Sequence, residues 1–478
     1  MASNPDPLPR WALPLATLAS ALAWWFGSGL HPLWWAAWLA PLPLLLCAAR
    51  SRARWMALAT CVAFATGGAH MWRYLHDVIG LPLPVCLSAI LLPALLMVPP
   101  ALLWRAGARR GHALAALLAF PLATTGLAWL GAATSPHGTF GLLAYSQSDA
   151  LPVLQIAALT GPWGVGFLVW LLPSLLALAA APGLRAGKRA GAMLAGGVLL
   201  VAALGYGTWR LHADAPAAHI RIGLVSIGDS KQAQADLGAA EGRRLLAAYL
   251  AEMERLSMRG AQVVVAPESA LLVRAQAIAP LQALATRRNV RILIGAEDHS
   301  DPQRKHNAAL LFTPARVQPQ AYFKRHLIPG FEDRYTPGTT DAVLPGNPRI
   351  GMAICKDLDF TTTGLAHGRM GTQLLLVPAW DFGDDAWLHG RMAILRGVEN
   401  GFAIARVARD GNLTLSDSRG RVLAQASAVG RTTATTLLGD LPLHDTPTPY
   451  SRIGDVFGPL SLCLAGMLGI ALLVRRRT

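Results

Sequence analysis

Residues 349–359 read RIGMAICKDLD, an apolar run that ends in a cysteine and passes at once into the charged Lys356-Asp357-Leu358-Asp359. A short apolar run bounded by polar residues reads as a buried strand. In α/β folds the carboxyl ends of strands are where ligands and nucleophiles are commonly placed. Other β-rich runs lie around it, at 219–226, 262–266, 291–295, 308–313, 373–378, 402–407 and 412–416. Helical patterns alternate with them, most clearly at 235–258 and 384–400. This alternation predicts an α/β domain over 218–443. At about 225 residues, such a segment is long enough for a self-sufficient core.

Outside that segment the chain is mostly apolar. Of its 478 residues 53% are hydrophobic and 14% charged; soluble domains carry roughly 45–50% and about 25%. A purely cytosolic globular enzyme is therefore excluded. Apolar runs lie near 11–27, 31–49, 54–72, 80–104, 112–131, 162–181, 190–208 and 456–474. Each is close to the roughly 20 residues that a helix needs to cross a bilayer. The first is read as a span and not as a removable signal, because six more follow before residue 210 and no convincing small-residue cleavage site stands after it. Pro41, Pro43, Pro99 and Pro100 are tolerable inside the runs, where neighbouring helices satisfy freed carbonyls. The sequence thus predicts a membrane domain over 1–210, with an outward arm at 132–161, and an eighth span at 456–474.

Charge placement orients these spans. Arg50, Arg52 and Arg54, then Arg105, Arg109 and Arg110, then Arg185, Lys188 and Arg189, and finally Arg475, Arg476 and Arg477 fall on alternate connections. The positive-inside rule puts all of them, and both termini, in the cytoplasm. The domain at 218–443 then faces outward. Much of the net charge of +15 reads as topology and anionic-lipid contact, so nucleic-acid binding has no support. The connection 132–161 has no Lys or Arg; it reads as an interfacial arm, a re-entrant loop or an ordered outer loop.

Four of the five cysteines, Cys47, Cys61, Cys86 and Cys463, fall in apolar spans as packing residues. Cys355 alone belongs to the α/β segment. Glu268 follows the apolar run QVVVA, and Lys324 follows the apolar-aromatic AYF. A thiol, a carboxylate and an ammonium at three strand ends are the parts of an activated nucleophile, since the thiolate is the reactive form. Glu268 could take the thiol proton and return it to a leaving group. Lys324 could stabilise a tetrahedral oxyanion with a backbone N–H just after Cys355. Taken singly, each of the three also reads as an ordinary structural residue.

These neighbourhoods resemble the nitrilase (carbon–nitrogen hydrolase) superfamily, whose αββα sandwich carries a Glu-Lys-Cys triad. Eight spans, with such a domain between the seventh and eighth, resemble the apolipoprotein N-acyltransferases of the bacterial envelope. The matches are SPHGTFGLLAYSQ (135–147), LTGPWGVGFLVWLLP (159–173), APESALL (266–272), YFKRHLIPGFE (322–332), HGRMAILRGVENGFAIARVARDG (389–411) and the turn of DSRGRVLA (417–424). The resemblance implies an eight-span α-helical membrane domain plus an αββα sandwich on the periplasmic side of the bacterial inner membrane. It implies Cys355 as nucleophile, Glu268 as general base, Lys324 as oxyanion stabiliser and Glu332 as an orienting carboxylate. The implied reaction takes an acyl chain from a phospholipid, typically phosphatidylethanolamine, onto Cys355 as a thioester. The α-amine of a diacylglyceryl cysteine at a lipoprotein N-terminus then accepts it.

Several positions depart from the family pattern. Lys356 and Asp357 stand where the family has an aromatic residue and then Glu; Asp357 keeps a carboxylate on a shorter stem. Lys356 could depress the thiol pKa, bind a phosphate headgroup or point to solvent. VSIGDS (225–230) replaces a Gln-x-Asn sequence, and VPAWDFGDDAWLHGRM (377–392) replaces an Asn-Asp-x-Trp run while keeping Trp387 and His389. His326 and His389 read either as proton-transfer helpers or as structural histidines. A membrane-anchored amidase, an acyltransferase with another amine acceptor and a non-catalytic scaffold are the alternative functions. No metal or dissociable cofactor is implied, because His and Cys lack ligand spacing and no P-loop or GxGxxG opens a helix. A monomer is the expected state.

Overall fold

The computed structural model describes residues 8–213, 218–228, 235–236, 238–274, 279–445 and 447–474. Arg475, Arg476 and Arg477, on which part of the topology reading rests, lie outside them, as do Asp229 and Ser230 of VSIGDS. The described chain forms two units. One takes the residues up to Ser135, Gly141–His212 and those from Gly454 onward; the other takes Pro136–Phe140 and Ala213–Ile453.

The first unit is helical. Four of its helices are long and apolar enough to cross a membrane: Leu83–Arg109, Ala113–Thr134, Pro162–Ala179 and Ala186–His212. Ala12–Gly27, Trp34–Ala48 and Phe457–Leu472 are apolar but shorter. The run expected at 31–49 is broken, with helices at Trp34–Leu39 and Leu42–Ala48 on either side of Ala40-Pro41. The run expected at 54–72 is a helix only over Ala53–Gly68 and then tightens into a 3₁₀ turn at Ala69–Met71. Pro99 and Pro100 fall in the first turn of the helix Val98–Arg109, where no N–H is required of them. Inside the unit Leu117, Phe120, Val169, Trp170 and Leu171 form one buried cluster, and the Ser174 hydroxyl donates to the Leu117 carbonyl at 2.7 Å. Leu91, Leu92, Leu95, Leu194, Val198 and Val201 are exposed on its outside. An outer surface this apolar belongs in lipid. Within 141–161 only short helical turns form, at Leu143–Gln147, Leu151–Leu154 and Ala157–Thr160.

The second unit holds two sheets. In the larger, the path runs Ala434–Leu443, Ala218–Ile227, Val263–Val265, Arg291–Asp298, Leu271–Val273, Ala235–Asp236, with His306–Phe312 pairing Arg291–Asp298 and Gln320–Phe323 pairing His306–Phe312. The smaller runs Val422–Ser427, Asn412–Ser416, Ala403–Arg409, Leu374–Trp380, Ile350–Met352, Ala342–Leu344. Side chains alternate as a period of two requires. Val263, Val265, Leu293, Ala309, Leu311 and Tyr322 of one sheet share a core with Met352, Leu374, Leu376, Ala403, Ala405 and Val407 of the other. Val264, Ile292, Ile294, Ala308 and Leu310 face the opposite way, onto Leu246, Tyr249 and Met253 of the helix Ala240–Met258 and Leu281 and Leu284 of Ala279–Arg288. On the far side Leu375, Val377 and Ile404 pack with Ala393 of Ala386–Asn400. The layers are therefore helix, sheet, sheet, helix. The expected helix 235–258 begins at Ala240, after the two-residue strand Ala235–Asp236.

Candidate active site

Glu268, Lys324 and Cys355 each follow a strand and enter the layer between the sheets, by three different local devices. The strand Val263–Val265 resumes at Leu271–Val273 along the same partner, Arg291–Asp298, so the chain between bulges out. Ser269 takes φ +49 there. A Cβ at Gly295 would lie 2.5 Å from Glu268 Cα, so the glycine is needed where the bulge crosses the sheet. Lys324 extends the pairing of Gln320–Phe323 by one residue, its N–H reaching the Asn307 carbonyl at 2.8 Å. Two residues beyond the inward-facing Tyr322, it points the same way. Cys355 begins a 3₁₀ turn, Cys355–Asp359, three residues past the end of Ile350–Met352 and not at the strand end itself. Its φ is +40, a conformation that a non-glycine residue adopts only when its surroundings hold it.

Two polar side chains, Lys324 and Asn307, meet on Glu268 and Glu332. Lys324 Nζ donates to Glu268 Oε1 at 2.7 Å and lies 2.9 Å from Glu332 Oε2. Asn307 Nδ2 donates to Glu268 Oε1 at 2.6 Å and to Glu332 Oε1 at 2.7 Å. Glu332 is fixed further by the Ile328 N–H at 2.8 Å. All four residues are buried. Burial disfavours charge on Lys324, but Glu268 and Glu332 outweigh it and hold the ammonium pKa well above the usual lysine range. Burial also raises the Glu268 pKa, with Lys324 opposing and Glu332 adding to the rise.

The Cys355 thiol is held protonated. Burial pushes its pKa well above the ordinary thiol value, the Glu268 carboxylate pushes the same way, and Lys324 opposes. Its Sγ lies 3.6 Å from the Trp380 carbonyl oxygen. A protonated thiol beside an anionic carboxylate is the starting state for general-base activation, not for a standing thiolate.

Asp357 locks the two halves of the site together. Its Oδ2 accepts from Ile354 N–H at 3.0 Å and Tyr322 hydroxyl at 2.7 Å; its Oδ1 accepts from the N–H groups of Arg325 at 3.1 Å and His326 at 2.9 Å. The carboxylate therefore ties the Cys355–Asp359 turn to the chain just after Lys324. Burial alone would raise its pKa, but the His326 ring, then the Ile354 N–H and the Tyr322 hydroxyl, hold it below the usual carboxylate value. A depressed folded pKa stabilises the protein above the unfolded Asp value, and that contribution is lost as pH falls through the folded one. Asp357→Asn should remove it. We expect a loss of about 2–3 kcal/mol near neutral pH, shrinking in acid, read as Tm against pH for both proteins in detergent.

Lys356 does not point to solvent. It is 5% exposed, its Nζ 3.2 Å from Asp359 Oδ2 and 3.3 Å from His137 Nδ1. His326 places Nδ1 3.1 Å from Asp357 and stacks on Phe360 with ring centroids 3.9 Å apart, a structural arrangement. Two further charged positions escaped the sequence reading. Asp381 receives both terminal nitrogens of Arg406, at 2.9 and 2.5 Å, in a fully buried pair. Asp381, Asp385 and His389 gather within 4.8 Å, a set that could hold a cation. Burial disfavours charge on His389, but Asp385 and Asp381 push its pKa up to about 10. Arg406 and the protonated imidazole therefore already match the two carboxylates. Asn307 was also missed, although a signal existed: a polar residue in phase with the inward Ala309 and Leu311.

Residues 20–175 match the family model of the apolipoprotein N-acyltransferase N-terminal domain, and residues 232–446 match that of the carbon–nitrogen hydrolases. Over most of its length the chain is therefore similar to apolipoprotein N-acyltransferases. A family member from Geobacter metallireducens is 28% identical over 537 aligned positions, spanning 99% of this chain and 97% of its own. The apolipoprotein N-acyltransferase of Bradyrhizobium diazoefficiens is 29% identical, over 79% of this chain and 75% of its own. Among solved structures, an amidase of the nitrilase superfamily from Nesterenkonia AN1 aligns at 22% identity and TM-score 0.41, over 48% of this chain and 93% of its own. This apolipoprotein N-acyltransferase relative is thus a bacterial membrane enzyme with a carbon–nitrogen hydrolase domain.

Proposed function

We propose that the protein transfers a fatty acyl chain from a phospholipid, through a thioester on Cys355, to the α-amine of an N-terminal diacylglyceryl cysteine on apolipoproteins. The observation that carries the chemistry is a buried, protonated thiol on which the Glu268 carboxylate and the Lys324 ammonium act more strongly than any other charge. Glu268 takes the thiol proton as sulfur attacks the ester carbonyl carbon. Lys324 and the Lys356 N–H stabilise the oxyanion. The carbon–oxygen bond then breaks, and Glu268 returns the proton to the departing glycerol oxygen, releasing lysophospholipid. In the second half the amine attacks the thioester and Glu268 accepts its proton; as the carbon–sulfur bond breaks, Glu268 passes that proton to the departing sulfur, leaving an amide, the free thiol and the carboxylate. Glu332 and Asn307 keep Glu268 and Lys324 in register, and Asp357 holds the nucleophile turn.

The thioester stores enough free energy to form the amide without a nucleotide, which suits a site on the periplasmic side of the inner membrane. In this reading eight spans carry the domain 218–443 outward, with both termini cytoplasmic. The four long apolar helices, the shorter ones and the alternate placement of Arg50–Arg54, Arg105–Arg110 and Arg185–Arg189 support it. Phosphatidylethanolamine is the proposed donor, and the enzyme works as a monomer.

Activity should rise with pH through the Glu268 titration, because the base must be ionised. Burial places that limb above an ordinary carboxylate's. The reaction itself is tested by incubating the purified protein with phosphatidylethanolamine and a diacylglyceryl-cysteine peptide. Amide-linked acyl peptide is the expected product. Free fatty acid alone, with unmodified peptide, would make the protein a hydrolase.

A further inference from the structure

The short segment Pro136–Phe140 belongs to the unit that holds the two sheets. It lies along the turn Cys355–Asp359. Thr139 donates twice to the Asp359 carbonyl, from its N–H at 2.8 Å and from its hydroxyl at 2.6 Å. At Gly138, φ +53, a Cβ would meet that same carbonyl oxygen at 2.6 Å, so the backbone comes closer than a side chain permits. One residue earlier, His137 Nδ1 lies 3.3 Å from Lys356 Nζ. Two residues after Gly138, the Phe140 ring packs on His389 with centroids 5.5 Å apart. His389 in turn is paired with Asp381, the residue after the Trp380 carbonyl that faces Cys355 Sγ.

We propose that residues 137–140 are a positioning clasp for the nucleophile, holding the turn that Cys355 opens so that its thiol meets the acyl carbonyl at the reactive angle. Cys355 has a backbone conformation that must be imposed by its surroundings. Asp357 imposes it from the side of Lys324. The clasp grips the same turn at Asp359 and Lys356, two residues that Asp357 does not hold through the bonds given above. Lys356 thereby has a use: its ammonium, neutralised by Asp359, donates to the neutral ring of His137 and so closes the clasp. Small errors of placement at a reacting atom are expensive in rate, and an ångström can cost about 10²-fold.

The inference rests on Cys355 being the nucleophile, and the test separates the two. Full-length Thr139→Val, Thr139→Ser, Gly138→Ala, His137→Ala and Cys355→Ala proteins are assayed with phosphatidylethanolamine and the diacylglyceryl-cysteine peptide, and each is melted in the same detergent. Thr139→Val and Gly138→Ala should lower kcat about 10- to 100-fold, with KM for both substrates and Tm near wild type. Thr139→Ser should restore kcat, and alkylation of Cys355 by iodoacetamide should change in rate alongside kcat. A Thr139→Val protein with wild-type kcat, beside an inactive Cys355→Ala, would overturn the clasp and leave the nucleophile standing. So would a fall in Tm with kcat per folded molecule unchanged. Turnover by Cys355→Ala would instead remove the underlying mechanism. If Gly138→Ala does not fold, Thr139→Val and His137→Ala decide the question.

Discussion

Cys355→Ala is expected to lose acyl transfer by about 10⁴-fold or more, the scale seen when a covalent nucleophile is removed from a preorganised site. No other cysteine of the chain lies in the unit that holds the two sheets, so none can take over the thioester. Cys355→Ser should be nearly as inactive. A hydroxyl is a far weaker acid than a thiol, and the site already pushes the thiol upward through burial and Glu268. The loss should appear in kcat, with little change in Tm, because the substitution removes one small atom whose described hydrogen bond is the long 3.6 Å contact with the Trp380 carbonyl. Radiolabelled acyl transfer to the peptide, alongside thermal melts of both variants, measures this.

Lys324→Met should damage both function and stability. Without the ammonium the oxyanion loses a charged donor, worth roughly 10²- to 10³-fold in rate. Glu268 and Glu332 would then share Asn307 as their remaining side-chain donor among the bonds described, two buried carboxylates without a cation. Breaking a buried ion pair from one side costs about 3–5 kcal/mol. The sign of its pH dependence follows from the crowded acids. Burial and Glu332 already raise the Glu268 pKa against the opposing Lys324; without the ammonium it rises further above the unfolded value, so the variant is penalised as pH rises through the folded value and recovers as pH falls. Melts of wild type and Lys324→Met from acid to neutral pH should therefore diverge as pH increases. Parallel curves would contradict the charge arrangement.

Strands buried along nearly their whole length could be read directly from the sequence as apolar runs. Val263–Val265, Arg291–Asp298, Leu374–Trp380, Ala403–Arg409 and Asn412–Ser416 coincide with apolar runs because both of their faces, or one whole face, are buried. Ala434–Leu443 was not legible. It contains Gly439, Asp440 and Pro442, poor strand formers, and exists because it pairs with Ala218–Ile227 along its whole length. Val422–Ser427 is an edge strand with exposed positions and carries little apolar signal. Among the apolar helices, composition showed where they lie but not where Ala40-Pro41 interrupts one.

At the site, Glu268, Lys324 and Cys355 were conspicuous because each follows an apolar run. Their arrangement depends on partners remote in sequence. Asn307 sits 39 residues from Glu268, and Asp357 accepts from Tyr322, 35 residues away. The fate of Lys356 was the least legible. Its neutraliser Asp359 is three residues away, but His137 is 219 residues distant, so nothing local indicates a buried ammonium.

The most direct test of acyl transfer through Cys355 is the intact mass of the full-length protein after incubation with phosphatidylethanolamine and no acceptor. The mechanism predicts one fatty-acyl adduct on wild type, released by hydroxylamine and by the diacylglyceryl-cysteine peptide, and absent from Cys355→Ala and Glu268→Gln. An unmodified wild-type mass while peptide acylation proceeds, or an adduct that persists on Cys355→Ala, would contradict it.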